Sequence, residues 1–146
     1  MANVIADIRE RLPSDRANRI EVRMPARLMP IRLPRRGLAQ ALLSLVKNAF
    51  DATVDDVSAV VVEVSQDTET FRVAVQDRGP GLSPEALQRV GEPFYTTKEP
   101  GRGLGLGLFL ARVFAERFGG TLTLESRQGT IAVIELPLRS EPVRLS

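Results

Sequence analysis

Four groups of residues could do chemistry. In the first, Ser44, Asn48 and Asp51 stand at i, i+4 and i+7 in the stretch Leu38–Ala52. On a helix those positions form a polar stripe. An Asn carboxamide offers a hard, neutral oxygen that can ligate Mg²⁺ without repelling a triphosphate. Mg²⁺ takes few protein ligands and draws the rest from phosphates and water. By itself, however, a polar stripe is an ordinary solvated helix face. In the second group, Asp77-Arg78-Gly79-Pro80-Gly81 follows an alternating apolar run. A carboxylate at a strand end can accept a hydrogen bond from an exocyclic amine, and glycines let backbone approach a flat ring. An Asp-Gly-Pro turn also needs no ligand to account for it.

The third group is Gly101-Arg102-Gly103-Leu104-Gly105-Leu106-Gly107-Leu108, ahead of an apolar helical run. Its glycines expose backbone N–H groups, and the helix N-terminus adds positive potential, so it is a candidate anion cradle. No Gly-Lys-Ser/Thr follows, so it is not a Walker A loop. A loop rather than a strand precedes it, which argues against a dinucleotide fingerprint. A flexible hinge is the structural alternative. In the fourth group, Phe94-Tyr95-Thr96-Thr97-Lys98, an aromatic pair can pin a loop while hydroxyls and an ammonium meet phosphate. A surface loop with a hydrophobic anchor reads equally well there.

Positioning these groups falls to the periodic segments. Val4, Ile5, Ile8 and Leu12 predict a helix over 3–12 that Pro13 stops. Ile20, Val22 and Met24 alternate as a short strand. Leu38, Ala41, Leu42, Leu45 and Ala52 give the apolar stripe of an amphipathic helix. Val60, Val62 and Val64, then Phe71, Val73 and Val75, mark two strands. Ser83-Pro84-Glu85 reads as a helix start with Pro in the first turn. The Pro and Gly density of 91–103 predicts a mobile loop. A further helix runs from about Leu104 to Phe118 and stops at Gly119-Gly120. Strands over about 121–126 and 131–136 close the chain. This order predicts an α+β fold: a two-layer sandwich of a mixed sheet covered by helices on one face.

Composition excludes several function classes. The 146 residues suit one domain. No apolar run approaches the roughly 18 residues of a membrane span. There are no cysteines and no histidines, so disulfides, thiolate or imidazole metal sites, imidazole bases and phosphohistidine are absent from the chain. Residues 1–36 carry nine Arg against four acidic side chains. That is either a solvated basic face or a docking surface for an acidic partner. Without aromatic interleaving or a recognition helix, nucleic acid is not the expected partner.

Taken together, in this order and spacing, the four groups resemble the histidine-kinase branch of the ATPase superfamily that also holds DNA gyrase, the Hsp90 chaperones and the MutL proteins. LLSLVKNAFDA resembles its N box, DRGPGL its G1 box, EPFYTTK its F box and GRGLGLGL its G2 box. Arg127-Gln128-Gly129-Thr130, with a strand ending at Leu136-Pro137, resembles the closing segment. The resemblance covers about residues 19–138. The PFYTTK form is similar to nitrogen-regulatory and redox-responding sensor kinases.

The resemblance implies that Asn48 ligates Mg²⁺ and acts with Lys98 in catalysis. It implies that Asp77 accepts from the adenine amino group, with Gly79, Gly81 and Leu82 shaping the pocket and Thr130 near the base. Asp51 and Ala52 would lie at the nucleotide. Thr96, Thr97 and Lys98 would belong to a mobile ATP lid. Gly101, Arg102, Gly103, Leu104, Gly105, Leu106, Gly107 and Leu108 would form its hinge and phosphate cradle. ATP and Mg²⁺ are the implied cofactors. A histidine-bearing dimerisation domain and a downstream response regulator are the implied partners. The implied setting is cytoplasmic, with no membrane contact by this domain even where the full-length kinase is membrane-anchored. Residues 1–14 read as a helix or linker from an upstream dimerisation region, 15–140 as the ATP-binding catalytic domain and 141–146 as a tail.

One departure matters. Ser44 stands one turn before Asn48, where kinases of this branch often have Asn or His. The superfamily's ATPases and anti-sigma serine kinases have Glu there as general base. A serine with no histidine nearby cannot readily do that work. This favours transfer to a histidine whose own domain supplies the base, with catalysis by positioning and charge stabilisation. The alternatives are an anti-sigma-type serine kinase or ATPase of the same fold, or a nucleotide-binding module that transfers nothing.

Overall fold

A computed structural model describes residues 1–53, 55, 57–89, 92–93 and 106–138. In chain order the elements are α1 (Ala2–Glu10), α2 (Ser14–Ala17), β1 (Ile20–Arg23), α3 (Arg35–Ala52), β2 (Val60–Gln66), β3 (Thr70–Gln76), α4 (Pro84–Arg89), α5 (Gly107–Arg117), β4 (Thr121–Ser126) and β5 (Thr130–Pro137).

The strands form one mixed sheet in the order β1-β2-β3-β5-β4. β1 runs parallel to β2, as the crossover through α3 requires, and the other pairs are antiparallel. Alternation decides which face is covered. Val60, Val62, Val64, Phe71, Val73, Val75, Ala132, Ile134 and Leu136 point toward the helices and join one core. Glu63, Arg72 and Glu135 stand on the opposite, helix-free face, where Arg72 pairs with Glu135. The two-layer α+β expectation therefore holds.

α3 is the central helix. It packs against α1, α5 and the sheet, so its buried face is wide: Leu38, Ala39, Ala41, Leu42, Leu43, Leu45, Val46, Ala49 and Phe50. Leu42, Val46, Ile134 and Leu136 are completely shielded, and each such side chain contributes about 1.5–3 kcal/mol by leaving water. α5 stops as its glycines predict. Gly119 has φ +77°, and the Gly120 N–H returns to the Ala115 carbonyl at 2.9 Å.

One local feature differs from expectation: α1 ends at Glu10 and a short helix, α2, follows Pro13. Val4, Ile5, Ile8 and Leu12 lie in the same core as the sheet. Most of the arginines of 1–36 are engaged within the chain. Arg16 and Arg19 lie over the Phe50 ring at 5.5 and 5.3 Å. Arg16 pairs with Asp51, and Arg19 donates to the Asp55 and Ser58 carbonyls. Arg35 pairs with Asp7, Arg23 with Glu21, and Arg9 and Arg11 donate to the Ile20 carbonyl and to Gln40. No helix among the described residues is long and apolar enough to cross a membrane.

Candidate functional site

β3 ends at Gln76, and the next residue is the one buried charged side chain among the described residues. Asp77 is 3% exposed. Its N–H donates to the Thr130 carbonyl at 3.0 Å, which extends the β3–β5 ladder by one pair. Its Oδ1 accepts the N–H of Gly79 at 2.9 Å and that of Thr130 at 3.1 Å. Oδ2 meets no donor among the described residues. A buried acceptor left unpaired costs about 1–3 kcal/mol, so Oδ2 can take a further donor. Burial pushes the carboxyl above its ordinary pKa of 3.8, against the opposing pull of the two N–H groups.

The glycines around Asp77 are there for close approach. A methyl at Gly79 would strike the carbonyl of Ala52, the last residue of α3. Gly81 has φ +78° and Gly129 φ +123°. Methyls at those positions would strike Ser126 Oγ and the Asp77 carbonyl. Leu82 N–H donates to Ser126 Oγ at 3.1 Å. The Asp77-Arg78-Gly79-Pro80-Gly81 loop is thus clamped between the C-terminal end of α3 and the β4–β5 hairpin.

The other wall is also α3. Gly107 opens α5, and a methyl there would touch Ser44 Cβ at 3.6 Å. Ser44, Asn48 and Ala52 stand at i, i+4 and i+8, one stripe with about 6 Å of rise between neighbours. Ala52 meets the Asp77 loop, Ser44 meets the start of α5, and Asn48 lies between them. The Asn48 side chain is half-buried with no hydrogen-bond partner among the described residues. Ser44 Oγ donates to the Gln40 carbonyl at 3.1 Å, so its proton is held by its own helix.

Not every expected residue gathers here. Asp51 lies beside the stripe, and its Oδ1 accepts from Arg16 of α2 at 3.3 Å. Leu108 packs against the hydrophobic core. Leu106 caps α5 through its carbonyl, which accepts the Leu110 N–H at 2.8 Å. Phe94, Thr96, Thr97, Lys98, Gly101, Arg102, Gly103, Leu104 and Gly105 lie outside the described residues. Sequence reasoning missed Ser126. The Gln128-Gly129 turn signal would have set it opposite Thr130, but no local pattern announces that its hydroxyl reaches Leu82.

Among the described residues no three His, Cys, Asp or Glu side chains converge as a cation cage. Were a divalent ion bound here beside ligand phosphates, the neutral Asn48 carboxamide, which has no hydrogen-bond partner among the described residues, could serve as a ligand.

Comparison with known proteins agrees with this fold. Residues 34–140 match the family of histidine kinase-, DNA gyrase B-, and HSP90-like ATPases. Histidine protein kinase DivJ of Caulobacter vibrioides is 35% identical over 140 residues, covering 91% of this chain and 23% of that protein. Sporulation kinase E of Bacillus subtilis is 36% identical over 112 residues, covering 75% of this chain and 15% of that protein. The chain thus spans less than a quarter of either relative. The structure of the mycobacterial sensor histidine kinase MprB superposes with a TM-score of 0.80 at 27% identity, covering 98% of this chain and 97% of that one. The catalytic domain of histidine kinase ThkA shares the fold, with a TM-score of 0.81 at 24% identity over 94% of this chain and 92% of that one.

Proposed function

The chain belongs to the family of histidine kinase-, DNA gyrase B-, and HSP90-like ATPases and has the catalytic ATP-binding fold of the sensor histidine kinases, and on that premise we propose that it binds ATP with Mg²⁺ and donates the γ-phosphoryl group to a histidine on a separate dimerisation domain. The observation that carries this reading is the half-satisfied Asp77 carboxylate. Oδ1 is fixed by two backbone N–H groups, and Oδ2 is buried without a donor among the described residues.

Adenine's exocyclic amine supplies the donor that Oδ2 lacks. Gly79 and Gly81 keep the loop flat enough for the ring, and Thr130 closes the pocket from the hairpin. The triphosphate runs along α3 from Ala52 toward Ser44. Asn48 would hold Mg²⁺, which when bound neutralises phosphate charge. The N-terminal N–H groups of α5 face the same end with positive potential. Lys98, Thr96, Thr97, Gly101, Gly103 and Gly105 are assigned to lid and phosphate contacts on their motifs.

Ser44 separates transfer from hydrolysis. A hydroxyl that donates to the Gln40 carbonyl cannot take a proton from water efficiently, and the chain has no histidine. The acceptor's own domain must supply the base, and a response regulator would then take the phosphoryl group. In this setting the domain is cytoplasmic and its partners are proteins. The test is calorimetry with ATP, GTP and Mg²⁺ beside a phosphate-release assay. Binding of ATP–Mg²⁺ in preference to GTP with negligible release supports the proposal. Equal binding of both nucleotides, or brisk release by the chain alone, contradicts it.

A further inference from the structure

Base recognition depends on how the loop after Asp77 is held. Gly79 is tied by its N–H to Asp77 Oδ1. Ser83 is tied at the other end, where its Oγ accepts the Ala86 N–H at 3.1 Å and its carbonyl accepts the Leu87 N–H at 2.9 Å. Between them, Pro80, Gly81 and Leu82 make one hydrogen bond to the described residues: Leu82 N–H to Ser126 Oγ at 3.1 Å.

Ser126 is the last residue of β4 and stands opposite Thr130, whose N–H holds Asp77 Oδ1. One end of one hairpin therefore fixes both the carboxylate and the loop beside it. The hydroxyl's polarity suits the position. It points its proton at the Gly129 carbonyl, a long contact of 3.4 Å, and offers a lone pair to Leu82. Gly81 owes its missing side chain to the same oxygen, since a methyl there would strike it.

We propose that Ser126 is a positioning residue for base recognition, setting the Gly79–Leu82 loop against Asp77 through its hydroxyl. This rests on the nucleotide reading of the Asp77 pocket. The hairpin does not need the hydroxyl for its own closure. Arg127 N–H bonds the Gly129 carbonyl at 3.0 Å, and the β4–β5 ladder runs from Thr121 to Ser126. Removing the hydroxyl thus releases the loop and leaves the sheet in place.

The test compares wild type, Ser126→Ala and Ser126→Thr by calorimetry with ATP and ADP, with and without Mg²⁺, and by thermal melts without nucleotide. In Ser126→Ala, ATP and ADP should weaken by the same factor, roughly two- to tenfold, as expected for one lost hydrogen bond. The Mg²⁺ enhancement and the nucleotide-free melting midpoint should not change, and Ser126→Thr should restore affinity. Wild-type affinity in Ser126→Ala overturns the assignment. So does a loss that threonine fails to rescue, or one matched by a lowered midpoint. If the wild-type chain itself binds no ATP, the nucleotide reading falls and this assignment falls with it.

Discussion

Asp77 and Thr130 bond each other twice. The Asp77 N–H reaches the Thr130 carbonyl at 3.0 Å, and the Thr130 N–H reaches Asp77 Oδ1 at 3.1 Å. The second bond turns a strand-end side chain back onto its partner strand. It spends one carboxylate oxygen on the fold and leaves the other without a donor among the described residues.

Asp77→Asn should keep the fold, because the amide oxygen can still accept from Gly79 and Thr130. The amide nitrogen then replaces Oδ2 and turns an acceptor into a donor. ATP should bind more weakly by about 1–3 kcal/mol, roughly 5- to 150-fold, and the ATP-over-GTP preference should narrow. Calorimetry with both nucleotides checks this, and an unchanged preference counts against the role.

Acidity tests the burial of the same group. Burial raises the Asp77 pKa above 3.8, so between 3.8 and the raised value the folded chain holds more proton than the unfolded one. This group's contribution to stability therefore falls as pH rises through that window. Asp77→Asn does not titrate. Urea melts across the window should show the stability of wild type, relative to the variant, declining toward neutral pH. A difference that is flat or grows with pH contradicts the buried carboxyl.

Gly129→Ala should hurt folding and binding together. Its φ of +123° disfavours any side chain, and the added methyl would meet the Asp77 carbonyl. A loss of about 1–3 kcal/mol is expected from strain of this kind, with ATP affinity reduced as well. Gly119→Ala is the control. Its φ is +77°, but it lies at the end of α5, and among the described residues an added methyl would meet only the Pro137 ring, at 3.5 Å. It should lower stability and spare affinity. Equal effects on affinity from both variants would remove the special place of the hairpin.

Much of this was legible in the sequence because it is written locally. Period-2 valines gave β2 and β3, the Leu38–Ala52 stripe gave α3, and Gly119-Gly120 gave the end of α5. The place of Asp77 at a strand end was legible from its motif. What was not legible arises between distant segments. Arg16 and Arg19 reach Phe50 from beyond the β1 crossover, and Ser126 reaches Leu82 across 44 positions. Asp51 read as a site residue from its place on the polar stripe and from its motif, and its pairing with Arg16 of α2 was not legible there. α2 has only four residues, too short to carry a helical period.

Asn48→Ala should leave the fold intact, since the side chain is half-buried and unpartnered among the described residues. ATP affinity in Mg²⁺ should drop by about 1.5–3 kcal/mol, the scale of a contact to a charged group, and affinity in chelator should change little. Calorimetry with and without Mg²⁺ reads the difference, and undiminished Mg²⁺ enhancement in the variant would remove Asn48 from the ion.

The most direct measurement follows the γ-phosphoryl group itself. The chain is incubated with γ-labelled ATP and Mg²⁺, alone and with a helical dimerisation domain carrying an acceptor histidine. No label on the chain, little free phosphate, and acid-labile label on the added domain are expected. Acid-stable label on a serine substrate, free phosphate released by the chain alone, or binding with no transfer to any histidine-bearing domain would contradict the proposed transfer.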